Sequence, residues 1–150
     1  MNTKLTQILH TNSRNWFTVP LRLGLGVTMA AHGAQKLFGW FGGYGLKGTA
    51  GYFDQALGMH PGLFWATLAG SGEFFGGLLV LIGLATRFAS LTTGIVMAVA
   101  VWAVHASGFF APNGIELPLA LLVASFALLL SGGGALSLDA MAVRSPAKAV

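Results

Sequence analysis

Residues 62–84 read GLFWATLAGSGEFFGGLLVLIGL, a run that follows Pro61, ends near Gly83 and carries a single charge, Glu73. A helix rises about 1.5 Å per residue, so about 20 mainly apolar residues cross the hydrocarbon of a bilayer. This run therefore predicts a membrane-spanning helix. Three more of the same kind are predicted at residues 17–38, 87–106 and 115–130. Pro20 and Pro118 fall in the opening turns of the first and last, where a missing N–H leaves no helical bond unmade. Thr86 is suited to cap the third through its hydroxyl. Ser131-Gly132-Gly133-Gly134 stops the fourth.

The composition of the whole chain agrees. Of 150 residues, 55% are hydrophobic and 8% charged, against about 25% charged in an ordinary soluble domain. Twelve charges cannot coat a globule of this size, which excludes a water-soluble monomer. The net charge of +4 reflects a shortage of acids, so a nucleic-acid partner is not expected. Without cysteine the chain has no disulfide, CxxC pair, Fe–S site or thiolate zinc site. Any redox chemistry must use a bound carrier. Polar residues fill the first fifteen positions, unlike a cleavable signal peptide, and the first span is read as retained.

The expected fold class is all-α, an integral membrane four-helix bundle. It comprises an N-terminal tail (1–16), a four-span domain (17–132) and a C-terminal tail (133–150). The longest connection, 39–60, begins glycine-rich, and residues 49–57 then read as a short interfacial helix with Tyr52 and Phe53 toward lipid. Lys4, Arg14, Arg87, Arg144 and Lys148 share one side, while Lys47 stands on the other with Lys36 at a span end. The positive-inside rule puts both termini in the cytoplasm and the 39–60 and 107–114 loops outside, in the periplasm for a bacterial inner membrane. Trp40, Phe41, Tyr44 and Trp65 would form an outer aromatic belt, with Trp16 on the inner side.

Polar groups within hydrocarbon need a partner or a task. Arg22, Leu25, Met29, His32 and Lys36 follow 3-4-3-4 steps along one stripe of the first span. In the second, Ala66, Ala69, Gly70, Glu73, Gly76, Gly77 and Val80 form a stripe that is small except at the glutamate. Small residues let membrane helices approach closely, so Glu73 should point inward. Gly94, Ala98, Val101, Trp102 and His105 give the seam of the third span, and Glu116, Ala120, Val123, Ala124, Ala127 and Ser131 that of the fourth. Alternating helix directions bring His32, Lys36, Glu73, His105 and Glu116 to overlapping depths. They outline an outward-opening pocket with Glu73 at its floor, and the expected partner of Glu73 is His32 or Lys36. Arg22 lies about 21 Å from Lys36 along the axis and would snorkel to the cytoplasmic headgroups. His32, His105, Glu73 and Glu116 are of a type that could ligate a metal, though no HxxxH or ExxH spacing supports such a site, and Ser71 and Ser107 lack a nucleophile motif. Gly24-x-Gly26 lies inside a span, out of context for a dinucleotide site. His60-Pro61 reads as loop and His10 as tail.

Several ordered motifs resemble the DoxX family of small four-helix membrane proteins over residues 20–139. They are Leu21-Arg22-Leu23-Gly24-Leu25-Gly26, Ala31-His32-Gly33-Ala34-Gln35-Lys36-Leu37-Phe38-Gly39 and Glu73-Phe74-Phe75-Gly76-Gly77-Leu78-Leu79. Gly83-Leu84-Ala85-Thr86-Arg87, Val104-His105, Glu116-Leu117-Pro118-Leu119 and Ser137-Leu138-Asp139 complete the set. A basic residue often precedes Ser-x-Asp in the family, where Ala135-Leu136 stand here. The family takes its name from resemblance to a subunit of a thiosulfate:quinone oxidoreductase, and some relatives are linked to complexes handling thiol and oxidative stress. The resemblance thus implies a quinone-interacting subunit of a membrane oxidoreductase. His32 and Glu73 would be its catalytic proton donors, with Lys36, His105 and Glu116 as ligand-binding groups, and electrons would come from a partner redox subunit. A proton-coupled carrier or channel gated by Glu73 is a second expectation, and size would then require a homodimer. A scaffold docking a soluble redox enzyme through residues 137–139 is the third.

Overall fold

In a computed structural model the chain is described over residues 11–105, 108–110 and 113–144, apart from the side chain of Arg144. Lys4, His10, Ala106, Ser107, Lys148 and the Arg144 side chain lie outside the described residues. The elements in order are α1 (Thr18–Phe38), a 3₁₀ turn (Trp40–Gly42), α2 (Gly45–Gln55), α3 (Gly62–Ile82) and α4 (Thr86–Val99). A π-helical turn (Ala100–Val104) continues α4, followed by α5 (Glu116–Ser131) and α6 (Leu138–Arg144). Among the described residues there is no strand. Two helices, α3 and the continuous Thr86–Val104 unit, are long and apolar enough to cross a membrane. α5 is shorter at 16 residues, and α1, at 21, contains Arg22, His32 and Lys36. Gly39 and Gly83, both left-handed, end α1 and α3, a conformation in which a Cβ is strained.

The most extensive interface joins α1 to α3. It is built on glycine, because a Cβ at Gly33 would stand 2.3 Å from the Phe74 backbone nitrogen and one at Gly77 2.5 Å from that of Ala30. The helices can come this close only where no side chain intervenes. The α3 stripe is as the sequence predicts: Ala66, Gly70, Glu73, Gly76, Gly77 and Val80 are all buried. α2 lies across α1 and α3. Its Phe53, expected toward lipid, is instead buried with Ala50 against Ala66, while Tyr52 is exposed.

The inward faces of α4 and α5 differ from expectation. α4 buries Thr86, Ala89, Ser90, Thr93 and Met97, and Ala98 and Trp102 of the expected seam are exposed, Trp102 at 80%. α5 buries Pro118, Ser125 and Leu128, leaving Ala120 and Val123 exposed. The reason lies in the hydroxyls. Thr93 Oγ1 and Ser125 Oγ meet at 3.1 Å across the α4–α5 interface, and buried hydroxyls without such partners are costly.

The chain returns after α5 to close the end of the bundle where the described residues begin and finish. Residues 133–135, 137, 139 and 140, expected in the tail, are buried. Arg22, expected to snorkel, is 3% exposed, and its Nη2 donates to the carbonyls of Ala135 and Leu136. Nor does Thr86 cap α4 as expected. Asp139 does so from 53 residues away, accepting from the Ala85 and Thr86 N–H groups at 2.7 and 2.8 Å and from the Thr86 hydroxyl. A carboxylate is the stronger acceptor and suits the positive helix start. Ser137 and Asp139 are therefore spent inside the fold rather than presented as a docking tail.

Candidate functional site

At the opposite, distal end the helix pairs separate around a cavity of about 1020 Å³. Its walls are mainly apolar, formed by Phe53 of α2, Trp65 and Leu68 of α3, Val96 and Met97 of α4, and Pro118 and Leu121 of α5. The polar part comes from α1, α3 and the end of the π turn, where His32, Gln35, Lys36, Glu73 and His105 all line the space.

Glu73 is the anchor. Its small neighbours on α3 put it against α1, where it is 2% exposed and accepts from Lys36 Nζ at 2.5 Å. Lys36 is more open, at 29%. His32 stands one turn from Lys36 on the cavity edge of α1, exposed, within electrostatic reach of Lys36, Glu73 and His105. His105 sits where the π turn ends, its N–H donating to Ala100 O and its Nδ1 3.2 Å from Asn113 O. The five-residue spacing of that backbone bond adds a residue to the turn and redirects the chain, a device frequent at functional sites. Gln35 lines the cavity and donates from Nε2 to Phe41 O, tying down the 3₁₀ turn.

Glu116 does not join this group. It occupies the first turn of α5, and the neighbouring Leu117 and Pro118 line the cavity in its stead. A helical turn advances about 100° per residue, so the register that points Pro118 and Leu121 inward carries Glu116 away. Sequence reasoning also missed the π turn and the apolar wall of Trp65, Met97 and Leu121. The period of α3 could have found Trp65, whereas no local signal marks the turn. Among the described residues no three His, Cys, Asp or Glu side chains cluster as metal ligands.

The loop beyond the cavity is held by Asp54, which accepts the Gly62 N–H at 2.7 Å and faces His60 Nδ1 at 2.8 Å. These contacts, the backbone N–H first and the imidazole second, hold its carboxyl below the usual aspartate range. They clasp the end of α2 to the start of α3, and Thr49 Oγ1 ties α2 to the Lys36 carbonyl at 3.3 Å. α2 is thus a fixed wall of the cavity.

Helices meeting through glycine, with an ion pair at the floor of an apolar cavity, define an all-helical protein with membrane character. The chain belongs to the DoxX family, whose model matches residues 17–106. It is 39% identical over 79 residues to an uncharacterised protein of Haemophilus influenzae, a match spanning 51% of this chain and 52% of the relative. The chain therefore spans about half the length of that curated relative. No solved structure matches it.

Proposed function

We propose that the chain crosses the bacterial inner membrane four times, with both termini cytoplasmic, and acts as a quinone-interacting subunit of a membrane oxidoreductase. The distribution of side chains supports the membrane part. Leu23, Val27, Phe75, Phe88, Ile95, Trp102 and Phe126 are exposed, whereas Arg22, Glu73, Thr86, Thr93 and Ser125 are buried. Water would penalise that arrangement and hydrocarbon favours it. Arg14 and Arg87 at the terminal end and Lys47 at the distal end support a distal end facing the periplasm.

The observation that carries the functional reading is the Lys36–Glu73 pair set in a mainly apolar cavity of about 1020 Å³. That size is at the upper end of small-molecule sites, about 300–1,000 Å³, enough for a ring and part of an apolar tail. Quinone reduction takes up two electrons and two protons. The Lys36 ammonium donates to a quinone carbonyl oxygen and favours the negative charge that develops there. His32 and the Glu73 carboxylate, paired at rest with Lys36, relay protons within the same space. The electrons come from a partner redox subunit, since the chain has no cysteine and no cofactor-binding motif.

Redox difference spectra of membranes containing the chain, with the partner's chromophore reduced beforehand and quinone then added, test this directly. Wild-type membranes should show quinone-dependent reoxidation of that chromophore, and Glu73→Gln should weaken it and change its pH dependence. Identical spectra with and without the chain would refute the reading. Solute flux in protein-only liposomes would favour a carrier instead.

A further inference from the structure

We infer that the cavity is loaded sideways from the lipid, through a gap between α3 and α4, and that its ligand is an amphiphile whose apolar tail leaves by the same gap. The inference rests on the membrane placement proposed above and adds the route and the shape of the ligand.

The α3–α4 seam is tight toward the terminal end. A Cβ on Gly76 would lie 3.0 Å from Thr93 Cγ2, and one on Gly72 3.1 Å from Val96 Cγ2. One turn further out the seam is open. Leu68 of α3 and Val99 of α4 both line the cavity, and both are also exposed on the outer surface, at 55% and 38%. Two such residues facing one another across α3 and α4 mark a gap in the wall between these helices. The cause is visible in α4, which leaves its α-helical course after Val99 and takes the wider π turn. Both side chains of this frame are aliphatic, so the passage presents no hydrogen-bonding group to a hydrated solute. An apolar chain crosses it without desolvation, and an ion does not. Inside, His32, Gln35 and Lys36 stand across the cavity on α1 with Glu73 packed against them, and His105 stands at the end of the π turn. A ligand reaching them from the gap lies with its polar head inward and its tail in the opening. Among lipid-borne molecules with a hydrogen-bonding head and a single flexible tail, a prenylated quinone fits this layout, and a two-chain phospholipid would leave one chain without a place.

The absence of native cysteine allows a direct test. Met97 lines the cavity at 6% exposure and Ala98 faces outward, so Met97→Cys and Ala98→Cys give an inner and an outer thiol on one helix. In nanodiscs, a bilayer-dissolved pyrenyl maleimide should label the inner thiol faster than a charged, water-soluble thiosulfonate does. Adding Val99→Trp should slow the apolar reaction by about tenfold or more while leaving Ala98→Cys unchanged, since labelling follows access when the thiol is the same. Leu121→Cys, on the facing wall, repeats the measurement if Met97→Cys does not fold. Faster labelling by the aqueous reagent, or no effect of Val99→Trp at either inner thiol, would overturn the gap. A decyl-tailed benzoquinone should then protect the inner thiol better than its tail-less parent. If the labelling pattern holds but neither protects, the sideways route stands and the quinone reading falls. Equal protection by both would overturn the role of the tail.

Discussion

The two halves of the Lys36–Glu73 pair should not be equally costly to remove, and their burial gives the order. Glu73 is 2% exposed and Lys36 29%. Lys36→Met leaves a carboxylate enclosed by α1 and α3 without its cation, a loss of about 3–5 kcal/mol by analogy with broken buried pairs. Glu73→Gln leaves an ammonium already open to the cavity and supplies an amide oxygen that still accepts from it, so about 1–2 kcal/mol is expected. The double variant removes both charges and should fall within about 1 kcal/mol of wild type. The singles then sum to about 4 kcal/mol or more while the double costs about 1, an interaction energy of about 3 kcal/mol. Reversible unfolding in mixed detergent–dodecyl sulfate micelles, followed by helical circular dichroism, measures all four species. Lys36→Met costing no more than Glu73→Gln, or two effects that add within about 0.5 kcal/mol, would refute a buried pair. Ligand protection of the Met97→Cys thiol measured on the same set separates stability from binding. The double variant should regain the first and lack the second.

Removing the Asp139 carboxylate with Asp139→Ala should lower stability by about 3–5 kcal/mol in the same assay, because it strips the start of α4 of its acceptor and Arg22 of its nearby negative charge; a loss under about 1 kcal/mol would show that another group takes its place. Gly33→Ala would drive a Cβ into the Phe74 backbone, costing about 1–3 kcal/mol or more, whereas Gly24→Ala, with open space around it, should be neutral or stabilise by up to about 1 kcal/mol through helix propensity; equal effects at both sites would contradict the close α1–α3 approach. Asp54 is more acidic folded than unfolded, so its contribution is whole above the ordinary aspartate range and is lost as pH falls through the lowered folded value. Exchange of the Gly62 amide hydrogen should therefore rise above its intrinsic pH trend only in acid, below about pH 4, and Asp54→Asn should remove that extra acid dependence; an unchanged profile would exclude the clasp.

What could be read from the sequence follows the range of the forces involved. α3 was legible in both length and face, because one carboxyl among glycines and alanines leaves only one side on which helices can approach and the charge can be sheltered. Helix ends were legible where glycine or proline marks them, and the observed bounds of α1, α3 and α5 lie within two residues of the predicted runs. The faces of α4 and α5 were not. Small residues and His105 suggest one seam, while Thr93 and Ser125 meet across another, and a hydroxyl's partner is invisible while it lies 32 residues away. Arg22 failed for the same reason, its acceptors lying 113 and 114 residues along the chain. At the site, the stripes of α1 and α3 place His32, Lys36 and Glu73 along one cavity. His105 reaches them by way of a π turn that no local pattern announces. Glu116 was lost to a rotation of α5 that the same hydroxyl pairing dictates.

The two ends of the bundle therefore have different work. In hydrocarbon an unmade hydrogen bond has no water to fall back on, so the bonds of Arg22 Nη2 to Ala135 and Leu136, of Asp139 to Ala85 and Thr86, and of Ser137 to Gly134 and Ala140 hold the terminal end together. Gly134, bonded to Thr11, and Ala135, bonded to Asn15, extend that lock to both ends of the described chain. With α1, α3, α4 and α5 gathered there, the distal ends can diverge without unfolding the bundle. The divergence is bounded where Lys36 and Glu73 tie α1 to α3 and where Asp54 ties α2 to α3, so the open side must be the one facing α4 and α5. That is the side on which the π turn lies. A change in its winding would alter the gap at Val99 and the position of His105 together, because the first precedes the turn and the second ends it. The proposed gap and the polar lining of the cavity thus meet at five residues, Ala100–Val104, away from the network that holds the terminal end.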